Sequence, residues 1–278
     1  MLKDSKSLEI SCYVVGAGAF GVFFRWMQLM LAYNEEDLPD ASAWNVLVPL
    51  FIAAGAFVFA RFISKMNKEG LFLSEDMFIA LRNDGKIYSV CRWVIGGLMI
   101  VGSILLLATC ELDLNVVFLR ILAAFGILTG VAFPLLLTMV NKPHVSGNGT
   151  MTLLAVLPVL MFSVWLLTCY KQNSINPVQW DYAVEILALI ITLLAFLRMA
   201  GFAYGVVNTD KSRFLCMFGA MLCVMTIADK RYLGQQIMFA AAALMMVMYN
   251  WIMVENLQRR ETVPFENVGN TEDGSEQL

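Results

Sequence analysis

Three ionisable side chains stand in stretches that offer them almost no water. Arg25 sits in GVFFRWMQLM, Arg120 in VVFLRILAAF and Glu185 in DYAVEILALI. By insertion scales a central arginine in a hydrocarbon layer costs about 2.5–3.5 kcal/mol, so such residues face a protein interior or a wet cavity. Each lies in the same half of its apolar run, toward acidic segments that carry Glu35, Glu36, Asp37 and Asp40, and Glu111 and Asp113. Two guanidiniums and a carboxylate at one depth have two uses. They lock helices as an ion-pair network, or they line an outward pocket for a small polar or anionic solute. Arg120, near a predicted interface, has snorkelling as a third. Asp181 lies one turn from Glu185 at the same end. Arg198 falls toward the opposite end, where Arg61 and Arg92 give it a second polar patch or where it snorkels.

Other constellations carry less. The string GAGAFG, with Gly16, Gly18 and Gly21, matches the dinucleotide pattern G-x-G-x-x-G. That pattern works only where a strand precedes the glycines, a helix follows, and an acid stands about 20 residues on. Glu35 and Glu36 have the spacing, but the glycines lie inside one continuous apolar run with no strand–helix alternation after it. Helix contact explains them better, because in lipid small residues gather where backbones touch. Ala17 and Gly21 share a face, as do Gly126 and Gly130, and Gly201 and Gly205; Gly96 and Gly97 add another small surface.

Met217, Met221 and Met225 share a face near Cys216 and Cys223, a donor set that suits Cu(I). Methionine is equally a flexible core filler, and the single histidine, His144, stands apart in NKPHVSGNG. No metal site and no cofactor are expected. The six cysteines form no C-x-x-C pair and read as small buried hydrophobes, with Cys110 and Cys169 near helix ends on the same predicted side. No G-x-S-x-G, H-E-x-x-H or Walker A string occurs, so the chain is not read as an enzyme.

What positions these residues follows from composition. Of 278 residues, 59% are hydrophobic and 15% charged. A soluble domain averages about 45–50% apolar and about 25% charged, so a bilayer must solvate the excess. The expected fold is all-α, a polytopic transmembrane bundle. Eight apolar segments fall near 9–32, 43–64, 89–110, 115–140, 151–170, 178–207, 212–228 and 233–256, the seventh being short. The charged start leads into a span and carries no cleavage site, so the first segment is read as a helix and not a signal peptide.

Lys171, Lys230 and Arg231 are the basic residues of one set of loops, Arg25, Arg120 and Arg198 lie within spans, and the remaining Lys and Arg fall in the other loops and tails. That bias puts both termini in the cytoplasm. Trp44, Trp93, Trp180 and Trp251 lie near predicted interfaces. Pro49, Pro134 and Pro158 interrupt three spans, as in transporters with broken helices, although membrane helices also tolerate proline. Phe23-Phe24-Arg25 resembles Phe196-Leu197-Arg198, and F-L-R recurs at Phe118-Leu119-Arg120, strings too short to mark a repeat.

Residues 1–258 are expected to form the bundle, with an interfacial loop at 65–88 whose middle predicts a short helix capped by Ser74. Residues 259–278 are acidic and polar, and are expected to be a disordered cytoplasmic tail. The net charge of −3 excludes a concentrated nucleic-acid-binding face. The leading expectation is a plasma-membrane protein, prokaryotic by its lean loops, that passes or binds a small polar or anionic solute through Arg25, Arg120 and Glu185. The alternative is a non-catalytic membrane subunit or sensor whose 65–88 loop and tail engage a cytoplasmic partner.

Overall fold

The computed structural model describes residues 2–32, 42–74, 76–83, 85–110, 116–141, 148–173, 179–205 and 208–259. Long helices dominate because lipid supplies no hydrogen bonds, so each spanning segment must satisfy its backbone internally. In chain order they are α1 (Leu2–Leu31), α2 (Trp44–Lys68), the two-residue strand β1 (Leu71–Phe72), the single turn α3 (Met77–Ala80), α4 (Lys86–Thr109), α5 (Val116–Val140), α6 (Asn148–Asn173), α7 (Gln179–Ala203), α8 (Thr209–Met225), α9 (Leu233–Glu255) and the two-residue strand β2 (Gln258–Arg259). Eight helices are long and apolar enough to cross a membrane, and they make this an integral, multi-pass helical bundle. The glycines of GAGAFG lie inside α1, with no strand before them. The short seventh segment is completed by a 3-10 turn, Thr226–Ala228, after α8. Beyond α9, Gln258 pairs with Phe72 and Arg259, the first residue of the expected tail, with Leu71; residues 260–278 lie outside the described ones.

α8 and α9 occupy the centre. In their most apolar windows 67% and 72% of residues are buried, against 17% for the peripheral α2. Aromatic rings from three helices close around α9. Trp165 of α6 lies 4.2 Å from Phe239, Phe162 stacks 5.2 Å from Phe196 of α7, and Phe133 of α5 meets Tyr249 edge-on at 5.3 Å.

Glycine sets the closest approaches. At Gly96 an added Cβ would strike the Gly130 carbonyl, and at Gly130 it would come 2.7 Å from the Gly96 carbonyl, so α4 and α5 touch backbone to backbone. α4 meets α9 the same way: a Cβ on Gly234 would lie 2.5 Å from the Leu106 nitrogen. Elsewhere methionines fill the hollows. Met225 packs over Gly21, Met221 over Gly55 and Met246 over Gly219, which is how α8 seats against α1, α2 and α9. Ala17 is half-buried beside this seam. The pair Gly201 and Gly205 is not a stripe on one helix. α7 ends at Ala203, and Gly205 lies beyond it with φ +70°, a left-handed turn that suits glycine. Gly97, unlike Gly96, meets nothing.

Pro49, Pro134 and Pro158 all lie inside helices, α2, α5 and α6. At the end where α2 stops and α9 stops, the 65–88 segment folds onto the bundle. Asp76, not Ser74, caps α3 by accepting from the Phe78 amide, and the helix is one turn long. Its Met77, Ala80 and Leu81 turn inward, although Ile79 remains exposed. Asn256 donates to the carbonyls of Ala80 and Arg82, tying the segment to the end of α9. Glu255 accepts from the Tyr88 hydroxyl and from the Trp251 indole at 2.6 Å.

Candidate functional site

The site forms at the opposite end of the bundle. Arg25 comes late in α1, on the face that meets α8 and α9, and is fully buried. A buried guanidinium needs a carboxylate and further acceptors, since desolvating it alone costs several kcal/mol. Its Nε donates to Asp229 Oδ1 at 2.6 Å, and Nη1 donates to Gln28 Oε1 at 2.7 Å. Gln28 passes the chain to Asn45 at the start of α2, at 2.9 Å.

Asp229 follows the 3-10 turn in extended conformation, and only residues 229–232 separate that turn from α9. So short a link cannot carry all of its charges out to water. Asp229 and Arg231 therefore turn inward, each with a side chain only 8% exposed. Arg231 thus lies in the link between two spans, as expected, but is buried there. Asp229 Oδ2 accepts from Arg231 Nη2 at 2.6 Å, and its carbonyl accepts from Gln236 Nε2 at 3.1 Å. Glu185, early in α7 and also buried, sits 3.0 Å from the same Nη2. Phe239 covers the guanidinium, its ring centroid 4.9 Å from Cζ. The result is an alternating array, Arg25–Asp229–Arg231–Glu185, that joins α1, the α8–α9 link and α7.

Above this array lies a cavity of about 580 Å³. Arg25 and Leu29 of α1, Asn173 of α6, Tyr182 and Glu185 of α7, and Gln235 of α9 line it, with the link residues Asp229, Lys230 and Arg231. Three groups there have open hydrogen-bonding capacity. Arg231 Nη1 is buried with no partner among the described residues. Lys230 forms no ion pair among them. Gln235 is 2% exposed, borders the cavity, and its side-chain amide bonds to no described residue. No protein-family model, curated protein or solved structure matches this chain.

The structure thus brings together two of the three expected residues, Arg25 and Glu185. Arg120 is not with them. It is exposed on α5 and absent from the cavity wall. Arg120→Ala is accordingly expected to shift the thermal unfolding midpoint in detergent by less than a degree or two and to leave the cavity unchanged. A loss as large as that of a buried ion pair would show that Arg120 has a partner of its own.

The expected patch of Arg61, Arg92 and Arg198 is also separated. Arg92 is buried and donates to Asn83 Oδ1 at 3.0 Å and to the Leu137 carbonyl. Arg61 lies on the exposed face of α2 with Lys65 and Lys68, and Arg198 is half-buried on α7. Cys110 and Cys169 are both free thiols. Met217, Met221 and Met225 are packed core residues. His144 and Asp181 fall on side chains outside the described residues.

Asp229, Arg231 and Gln235 were not among the expected site residues. The signal for them was present in ADKRYLGQQ. A link of this length between two spans, carrying an acid and two bases with two amides in the first turn after it, has too little reach to hold them all in water.

Proposed function

We propose that this protein binds a small polar or anionic solute in the cavity above Arg25, Glu185, Asp229 and Arg231, and passes it across the membrane. The observation that carries this reading is Gln235. A buried amide normally finds partners within the protein, because leaving it unsatisfied costs about 1–3 kcal/mol. Here the amide borders a cavity instead, beside an unpaired ammonium and an unpartnered guanidinium nitrogen. Proline within α2, α5 and α6 supports movement of the helices around such a site, since each removes a backbone hydrogen bond. The Lys and Arg bias supports a cell membrane with both termini cytoplasmic, so that the cavity opens on the other side.

Gln235→Leu tests the reading. It keeps volume and every ion pair but removes the open amide. The purified protein in detergent is expected to be stabilised against heat by small anions such as lactate, and Gln235→Leu is expected to unfold at the same temperature or higher while losing that stabilisation. Equal responses from both forms, or none from either, would reduce the array to a structural clamp. The chain would then be read as a non-catalytic membrane subunit.

A further inference from the structure

We propose that the solute is a small organic monoanion, and that its carboxylate displaces Glu185 from Arg231. This rests on the reading of the cavity as a solute site and names the class of solute.

The charges around the cavity do not balance. Among the described residues, Arg25, Lys230 and Arg231 face Glu185 and Asp229, which leaves one positive charge, and the base without an ion pair among them is Lys230. A singly charged anion neutralises the site. A cation finds no vacant carboxylate, since both are engaged, and a dianion overshoots.

The ion pairs are also unequal. Arg25–Asp229 and Asp229–Arg231 both close at 2.6 Å, whereas Arg231–Glu185 stands at 3.0 Å. Both carboxylates share the single nitrogen Nη2, and Nη1 is left with nothing. A guanidinium binds a carboxylate best through two parallel N–H bonds. Glu185 makes one such contact and leaves the terminal Nη1–Nη2 edge half used. Phe239 covers one face of the guanidinium, which favours an approach along its edge. An incoming carboxylate on that edge makes two bonds where Glu185 made one.

Arg231 Nη1 is closed off in this arrangement, so entry of the ligand and departure of Glu185 are one event. That event frees α7 from the α8–α9 link, because Glu185 is the α7 residue that holds Arg231. The remainder of the ligand meets Gln235, Tyr182 and Asn173, groups that both donate and accept. A hydroxylated or amidated carbon chain suits them better than a hydrocarbon one.

The test is titration calorimetry on purified full-length protein with lactate and gluconate, their neutral amides, and ethanolamine. Glu185→Gln removes the competing carboxylate and adds to the positive excess. It is expected to bind the two carboxylates about tenfold more tightly than the native protein, with the amides and ethanolamine silent. Lys230→Ala alters an exposed side chain in a link, carries little risk to folding, and is expected to weaken the same binding several-fold. If Glu185→Gln binds carboxylates no more tightly, or the native protein prefers an amide or ethanolamine, the exchange is wrong while the cavity remains a solute site. If none of the probes binds any of the three folded forms, both readings fall together.

Discussion

Asp229→Ala is expected to destabilise the folded protein by about 3–5 kcal/mol, the largest loss from any single side-chain truncation in the array. Asp229 is the one acid bonded to two arginines, at 2.6 Å on each oxygen. Its removal takes the carboxylate from the Nε of fully buried Arg25 and the closer of the two acids from Arg231, which keeps Glu185. Two guanidiniums then face each other in a medium that screens them poorly. The measurement is reversible unfolding in mixed detergent micelles, or the thermal midpoint where unfolding is irreversible. Asp229→Asn is expected to recover part of the loss, because the amide oxygen still accepts one of the two bonds. Replacing Arg25 by Met and Asp229 by Leu together is expected to cost less than Asp229→Ala alone, since no orphan charge remains on Arg25. A loss below about 1 kcal/mol for Asp229→Ala would place the pair in the range of solvent-screened surface bridges.

The second large effect is steric. Gly234→Val is expected to prevent α9 from seating against α4. A Cβ alone would lie 2.5 Å from the Leu106 nitrogen, 2.7 Å from the Gly102 carbonyl and 2.8 Å from the Leu106 Cα. These are backbone atoms, so relief requires the helices to separate. Gly234→Ala is expected to cost about 1–3 kcal/mol, and the two further methyl groups of valine to exceed that range. The readouts are the yield of monodisperse protein and its unfolding midpoint. Gly97→Ala serves as the comparison on α4 itself. Nothing lies within 4 Å of its added Cβ, so helix propensity alone acts and the change is expected to be neutral or to stabilise by about 0.5–1 kcal/mol. Equal damage from Gly97→Ala and Gly234→Ala would mean that helix entropy, and not contact, governs these positions.

The architecture was legible because lipid leaves the chain few options. Any stretch of apolar residues long enough to cross must be helical, and eight such stretches stand out by hydropathy. The small-residue faces of Gly21, Gly126 and Gly130 were legible for the same reason, since few other residues allow backbones to touch. Partnering was not. Gly130 meets Gly96, and Gly234 meets Gly102, but a helix surface in sequence does not name its neighbour. Depth placed Arg25 and Glu185 at one level and placed Arg120 there too. Depth says nothing about azimuth, and Arg120 points outward from α5. Asp229 and Arg231 escaped because residues beyond a hydrophobic segment look like loop. Their burial is decided by how short the link to α9 is. Gly205 escaped because spacing alone does not tell the last turn of a helix from the turn that ends it.

The burial of α8 has a consequence for biogenesis. α8 and α1 have the lowest mean hydropathy of the eight helices, 1.4 and 1.5, while the other six range from 1.9 to 2.3. A translocon partitions each emerging segment by its own affinity for lipid, and α8 offers it the least. Its methionine face, its buried Arg213 and its central place all presuppose neighbours that are already in the bilayer. α8 therefore enters with α9 as a hairpin, and a nascent chain halted before Leu233 holds six committed spans at most, with the seventh, α8, waiting at the channel.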